Sequence, residues 1–413
     1  MNQSKGGERQ PSQESPPEQA GRSGCFPSSS SPAAAAAAAT TRPSGRASPR
    51  EQAKYFWRYA HLKQQKQTLE DVELLEAYHC AISENALHFE DKVVLDVGCG
   101  IGVLALFAAQ AGARKVYAVE ATDSAKFAKR LVAHNRMENV VTVIQGTIEQ
   151  VELPEKADII VSEFMGRFLL SGSMLDSVLY ARDKYLKIGG AIYPSSARMY
   201  LALSSHIDVE SQAEDLSQDM ESWEDFLAKA TYSYDVNFSC LTQVFEEEAK
   251  GYYLSTNLCV DLEPSDLLGP PVCIKNIDLL TATLNDVKSV RQSFTLDISP
   301  GKSSGSAGLS LTSFVGWFSV HFDGSPFNPS LVEVSCSSEP KRDFASSPHR
   351  DQEAFIVNPP LALQAGDKVE CHLQMSRMEY NWRLYDVNID YSVCSASGQK
   401  GAQHSCQYHL SHD

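Results

Sequence analysis

VVLDVGCGIGVLALFAAQAGARKVYAVEAT, from Val93 to Thr122, decides the fold. Val93 to Val97 is a short run of apolar, mostly β-branched residues, as expected of a strand covered on both faces. Gly98, Gly100 and Gly102 follow at alternate positions, so the backbone can turn sharply and approach a ligand closely. From Val103 to Gln110 the apolar residues recur with helical spacing, and Gly112 supplies a stop. Lys115 to Glu120 reads as a second strand ending in an acid. The unit is strand, glycine-rich turn, helix, strand, and it predicts a parallel α/β sheet.

The acid at the end narrows the ligand. Glu120 stands about twenty residues past the turn, where a carboxylate can accept hydrogen bonds from both hydroxyls of a ribose. Dinucleotide sites want a third glycine where this chain has Val103. Here Asp96, Gly98, Gly100 and Gly102 fall at alternate positions. That pattern resembles the cofactor loop of class I methyltransferases, which bind S-adenosylmethionine. The alternative is a strand–helix–strand unit with a tight turn and no ligand.

Working outward, Val140 to Gln145 reads as a third strand and Ala157 to Ser162 as a fourth, ending at Glu163. Between them GTIEQVEL carries Ile148 and Glu149 in a loop. Ligands of doubly wound sheets lie beyond the carboxyl ends of the strands. Gly98, Glu120, Glu149 and Glu163 all fall at such ends, so one crevice can collect them. Upstream, residues 51–90 read as helical, with Tyr55, Phe56 and Tyr59 on one face. That face either packs on the next domain or lies over a ligand.

Residues 1–50 are Ser, Pro, Gly and Gln with an alanine run from Ala33 to Ala39, a composition expected to stay disordered. Downstream of Gly189-Gly190 the texture turns to alternating strands: AIYPSSARMYLAL, VCIKNIDLLTATL, SFTLDI, SFVGWFSVHF, LVEVSCS, AFIV, KVECHLQM and YDVNIDYSV. These predict an antiparallel β domain over 191–413. Ser205 to about Cys240, rich in acids and aromatics, reads as a helical arm inserted in it.

The chain of 413 residues has a formal net charge of −16, and its first fifty residues hold six basic side chains against three acids, so the body is acidic. An acidic body argues against direct nucleic-acid binding and suits a cationic partner. No apolar run is long enough for a membrane span. The ten cysteines show no metal-ligand spacing, and no metal is expected.

The strings YFWRYAH, VLDVGCGIG, YAVEA, GTIEQVELPEKAD, SEFMGRFLLSGSML, YPSSARMYLA and FVGWFSVHF, in this order from Tyr55 toward Val393, resemble the protein arginine methyltransferases. ARKVYAVEAT, LPEKAD and SARM are closest to the plant-type tenth member of that family, a type I enzyme. The resemblance implies a Rossmann-like S-adenosylmethionine domain with an N-terminal helical lid over 51–190, then a β-barrel with a helical dimerisation arm. It implies a homodimer that methylates arginines of proteins such as histones or RNA-binding proteins, in the cytoplasm or nucleus. By the same resemblance His61, Asp96, Gly98, Gly100, Gly102, Glu120, Ile148, Glu149 and Met174 bind the cofactor, and Glu163, His349 and Asp71 serve catalysis.

Several positions depart from the family pattern. Of its two hairpin glutamates, Glu163 matches the first and Gly172 replaces the second. Arg167 stands where a tyrosine is usual, placing positive charge near a cationic substrate. Leu74 replaces an arginine that pairs with the cofactor carboxylate, Thr68 replaces a methionine, and Pro348-His349-Arg350 replaces Thr-His-Trp. Three readings follow: an arginine methyltransferase with weakened activity, a non-catalytic dimer partner or scaffold, and a methyltransferase acting on another nucleophile.

Overall fold

The computed structural model describes residues 49–254, 256–300, 309–325, 332–335 and 352–410. His349, its neighbours Pro348 and Arg350, and the tail before residue 49 lie outside the described residues.

Four helices open the described chain: α1 (Pro49–Tyr59), α2 (Leu62–Leu69), α3 (Val72–Ser83) and α4 (Ala86–Phe89). Of the three longer helices only α3 is substantially buried, through Leu74, Ala77, Tyr78, Ala81 and Ile82, because it alone has an apolar face unbroken by Lys or Gln. The α/β unit follows: β1 (Val93–Val97), α5 (Val103–Gln110), β2 (Lys115–Glu120), α6 (Ala125–His134), β3 (Val141–Gln145), β4 (Ala157–Val161), α7 (Leu175–Tyr185) and β5 (Leu186–Tyr193). The strands stand in the order β3-β2-β1-β4-β5, all parallel. The order reverses between β1 and β4, and at such a switch point the loops leaving the two strands part and open a crevice. Ala191 to Tyr193 therefore belong to the parallel sheet, where Ala191 pairs with Ile159, and not to the antiparallel strand with which they read in sequence.

The second half is β6 (Ser196–Ser204), α8 (Val209–Tyr234), α9 (Thr242–Leu254), β7 (Asn257–Val260), β8 (Val272–Asp278), α10 (Leu284–Lys288), β9 (Ser289–Asp297), β10 (Leu309–Phe322), β11 (Val332–Ser335), β12 (Gln352–Leu363), β13 (Lys368–Arg377), β14 (Tyr385–Cys394) and β15 (Lys400–Leu410). One antiparallel sheet runs β7-β12-β10-β6-β8 with β11 beside β10, and the other runs β15-β14-β13-β9. They close face to face as a barrel: Phe314 meets Tyr391 edge-on at 5.0 Å, and the Tyr408 hydroxyl donates to the Ile356 carbonyl at 2.7 Å. Burial alternates along β13, as period-two pleating requires. In β10, twelve consecutive residues from Leu311 to Phe322 are buried, since both faces of this strand are covered.

The arm is a helical hairpin of α8 and α9, and helix continues to Leu254, past the Cys240 end expected from sequence. Trp223 stacks on Phe245 at 4.4 Å and donates its indole N–H to Thr242 at 3.0 Å, which holds the hairpin shut. Tyr232, Tyr234, Val236 and Val244 stay exposed on it. Two ion pairs tie the halves together. Arg377 of β13 grips Asp176 of α7 in a fork at 2.8 and 2.5 Å, and Arg167 grips Glu353 of β12.

Candidate active site

The glycine turn is built by the carboxylate that closes the unit. Glu120 Oε2 accepts the Gly100 N–H at 2.8 Å, and Oε1 accepts the Thr122 N–H at 2.7 Å. Each oxygen keeps a second lone pair, so the carboxylate can hold the turn and still accept hydroxyl groups. Behind the turn, Asp96 is fully buried, with the Ala105 N–H facing it and no well-formed hydrogen bond at either carboxylate oxygen. Burial pushes its pKa up to about 8; the Ala105 N–H opposes the shift and the nearby charge of Glu120 adds to it. An unpartnered buried carboxyl is costly unless a donor arrives to meet it.

A cleft opens in front, lined by Gln65, Thr68, Leu69, Leu74, Leu75, Tyr78, Gly98 to Ile101, Val103, Leu104 and Glu163. Gln65 of α2 lies over Gly100 so closely that a Cβ there would stand 2.4 Å from Oε1, and Met174 lies as close over Gly98. These residues fit S-adenosylmethionine. By charge, Asp96 suits the ammonium of its amino-acid end and Glu120 suits ribose hydroxyls; both stand behind the cleft lining, and Met174 and Gln65 occupy the space over Gly98 and Gly100. Leu74, 6 % exposed, makes this wall apolar where a carboxylate partner would be cationic.

The other candidates spread around this centre. Asp71 is buried and caps α3 by accepting the Leu74 N–H at 3.1 Å. His61 precedes α2 on an exposed face, its ring against Trp57 and its Nδ1 2.7 Å from the Trp57 carbonyl. Ile148 is buried in the core. Glu149 is exposed and accepts from the Ser177 hydroxyl at 2.8 Å. Neither residue lines the cleft, nor do His61, Asp71, Asp96, Gly102, Glu120 and Met174.

The hairpin after β4 carries the chemistry. Ser162 donates to the Val97 carbonyl at 2.7 Å, fastening the ends of β4 and β1 together, and the Tyr78 hydroxyl donates to the Ser162 carbonyl at 2.7 Å. Glu163, next in the chain, reaches the cleft and accepts the Met165 N–H at 3.0 Å. Desolvation pushes its pKa up to about 7, and the charge of Asp71 adds to the rise. Phe168, Leu169, Gly172 and Ser173 all have positive φ, from 44° to 90°. Such a backbone persists only when its surroundings over-determine it, and the barrel does so. Phe168 sits on Gly316 of β10, where a Cβ would lie 2.5 Å from the ring. Ser173 donates to the Trp382 carbonyl at 2.8 Å, and the Gly172 N–H donates to the Arg383 carbonyl at 2.9 Å.

Arg167 does not present a bare charge to the cleft. Its Nε and Nη2 donate to the two oxygens of Glu353 at 2.6 and 2.9 Å, and Asn257 adds a bond to Glu353 at 2.7 Å. The repulsion expected from sequence is therefore compensated within the fold. Reading by spacing did not find Gln65, Tyr78, Glu353 or Arg383. Tyr78 and Gln65 sit on helices whose pattern reads as packing alone. Glu353 is an acid inside an apolar strand, QEAFIV, which was a visible signal. Among the described residues no group of three or more His, Cys, Asp or Glu side chains is placed to hold a metal ion.

The chain's similarities agree with this geometry. Residues 72–216 match the family described as ribosomal protein L11 methyltransferase, and residues 196–396 match the arginine methyltransferase oligomerization subdomain. Protein arginine N-methyltransferase PRMT10 of Oryza sativa subsp. japonica is 43 % identical over 348 residues, 84 % of this chain and 90 % of that protein. The Arabidopsis thaliana protein of the same name is 40 % identical over 346 residues, 84 % of this chain and 88 % of that one. Among solved structures, Arabidopsis thaliana protein arginine methyltransferase 10, described as uniquely open, superposes with a TM-score of 0.79 at 38 % identity, covering 86 % of this chain and 99 % of that chain. A Trypanosoma brucei PRMT1 enzyme–prozyme heterotetramer with AdoHcy gives 0.68 at 26 % identity, covering 85 % and 99 %. Similarity of this extent, running through both the cofactor domain and the barrel, shows that the chain belongs to the protein arginine N-methyltransferase family.

Proposed function

We propose that this chain methylates arginine guanidino nitrogens of proteins at the cleft between the glycine turn and the Glu163 hairpin. One observation carries the reading: a desolvated carboxyl, Glu163, opens into the same cleft as Gly98 to Gly100. S-adenosylmethionine, when bound, supplies an electrophilic methyl on a sulfonium sulfur. Asp96, the glycine turn and Glu120 would hold it. A guanidinium is planar, delocalised and charged, and so a poor nucleophile. Glu163 accepts its N–H groups, draws positive charge away from the attacking nitrogen and fixes that nitrogen toward the cofactor side. The arriving cation favours the ionised form of Glu163, which burial otherwise resists. After transfer the nitrogen sheds a proton, and a carboxylate with a pKa near neutrality can take it up at an Oε atom.

The acidic balance of the chain, −16, favours approach of arginine-rich proteins, with histones and RNA-binding proteins as the substrate classes and the cytoplasm or nucleus as the place where these occur. A homodimer joined through α8 and α9 is the assembly that fits the exposed Tyr232, Tyr234, Val236 and Val244 on the arm. The test is incubation of the full chain with methyl-labelled cofactor and arginine-rich peptides, each paired with an Arg→Lys control. Label in the arginine peptides alone supports the reading. Label in neither, at high protein concentration and with demonstrated cofactor binding, contradicts it.

A further inference from the structure

Arg383 is a buried cation that feels the charges of Asp176 and Glu149 without touching either. It lies in the turn between β13 and β14, 6 % exposed, and makes no ion pair among the described residues. Its Nη1 donates to the Gly172 carbonyl at 2.5 Å, its own carbonyl accepts the Gly172 N–H, and its Nε has no partner. The guanidinium lies 3.7 Å from the ring centre of Tyr55, 4.5 Å from that of Trp382 and 5.5 Å from that of Phe56. Burying a guanidinium is expensive, and here aromatic faces and one carbonyl offset the cost in place of an anion. Burial accordingly lowers the pKa of Arg383. Tyr55 and Phe56 belong to α1, more than three hundred residues away in sequence. Tyr55 also feels the charges of Glu163 and Glu120.

We propose that Arg383 is a positioning residue for methyl transfer: clamped between Tyr55 and Trp382 and bonded to Gly172, it locks helix α1 onto the hairpin, so that cofactor site and substrate site form together. The inference deepens the arginine-methyltransferase reading and rests on it. At Gly172 the hairpin has no side chain to organise the far edge of the site. Arg383 organises that edge through the backbone and hands the constraint to the helix above.

The experiment uses the full chain, with Arg383→Met, Tyr55→Leu, Tyr55→Phe and the Arg383→Met/Tyr55→Leu pair. Melting temperature, cofactor dissociation constant by calorimetry, and kcat and KM on an arginine peptide are read for each. Arg383→Met and Tyr55→Leu are each expected to raise the peptide KM and the cofactor dissociation constant about ten-fold, with melting temperature moving by only a few degrees. The double variant is expected to be no worse than the worse single one, since both break the same contact. Tyr55→Phe keeps an aromatic face and is expected to retain most of the binding. Additive losses, a lower melting temperature with unchanged binding, or equal damage from Phe and Leu at position 55 would overturn the proposal. If Arg383→Met does not fold, the Phe-against-Leu comparison decides alone. If the wild type methylates no arginine peptide, the functional reading fails. The coupled loss of cofactor affinity still supports the clamp, and its absence overturns it.

Discussion

Asp96 and Glu163 are carboxyl groups whose surroundings resist ionisation, with pKa values of about 8 and about 7 against ordinary values of 3.8 and 4.5. Both are raised on folding, so each contributes most stability below pH 4, where it is protonated folded or unfolded, and loses that contribution as pH climbs through its folded value. The cofactor-free protein is expected to lose stability from about pH 4 to pH 8, and Asp96→Asn to flatten that slope while weakening cofactor binding. Urea melts across that range, with calorimetry at neutral pH, check both halves. Glu163 must ionise to grip a cation, so kcat/KM on an arginine peptide is expected to rise with pH through about 7. Glu163→Gln should lower it about ten- to a hundred-fold, the loss of one charge-assisted bond of roughly 1.5–3 kcal/mol. Glu120→Ala removes the acceptor that also pins Gly100. Calorimetry is expected to show a cofactor dissociation constant raised by at least about ten-fold, and an unchanged constant would remove Glu120 from the site.

The hairpin is the element on which sequence and structure differ most usefully. A glutamate restored at position 172 reads from sequence as completing a carboxylate pair. In the fold Gly172 has φ +90° beside a buried guanidinium. A side chain there costs roughly 1–2 kcal/mol in backbone strain, and its carboxylate would meet Arg383 before any substrate. Gly172→Glu is therefore expected to leave methyl transfer at or below the wild-type rate, and a faster variant in the peptide assay would contradict this. Arg167→Tyr would strand Glu353, 1 % exposed, without its cation, at a cost of about 3–5 kcal/mol that thermal melting would register. The first strand–turn–helix–strand unit was legible to the residue, Val93–Val97, Val103–Gln110 and Lys115–Glu120, because strong local periodicity and glycine turns leave one solution. Two strands escaped the sequence reading. β15 is largely polar, with Tyr408 and Leu410 buried on one face, and β7 is four residues long. Of the candidate site, Glu163 was legible from local sequence and stands in the cleft, while Asp96 and Glu120 hold their expected strand positions behind the lining. Arg383 was not legible, because its contacts with Gly172 and Tyr55 join residues far apart in sequence, and Glu353 showed only as an acid in an apolar strand.

At the scale of the whole molecule, the parallel sheet supplies a crevice at its switch point, and the barrel holds in place a hairpin whose backbone is strained. Arg377–Asp176 and Arg167–Glu353 join the two halves, so damage to the barrel is expected to reach the cleft. The oligomerization subdomain matched over residues 196–396 contains the arm. Removing the exposed aromatics as Tyr232→Ser and Tyr234→Ser is expected to shift sedimentation from dimer toward monomer, with the melting of the subunit itself little changed. A dimer that persists in the double variant would place the interface elsewhere. The central claim is that Glu163, opening into the cofactor cleft, makes this chain an arginine methyltransferase, and a single-turnover assay tests it most directly. The full chain is mixed with methyl-labelled S-adenosylmethionine and an arginine-rich peptide, wild type beside Glu163→Gln, with cofactor binding confirmed for both. The account predicts label on arginine with wild type and a loss of about ten-fold or more with Glu163→Gln at unchanged cofactor affinity. Equal labelling by the two proteins would contradict it.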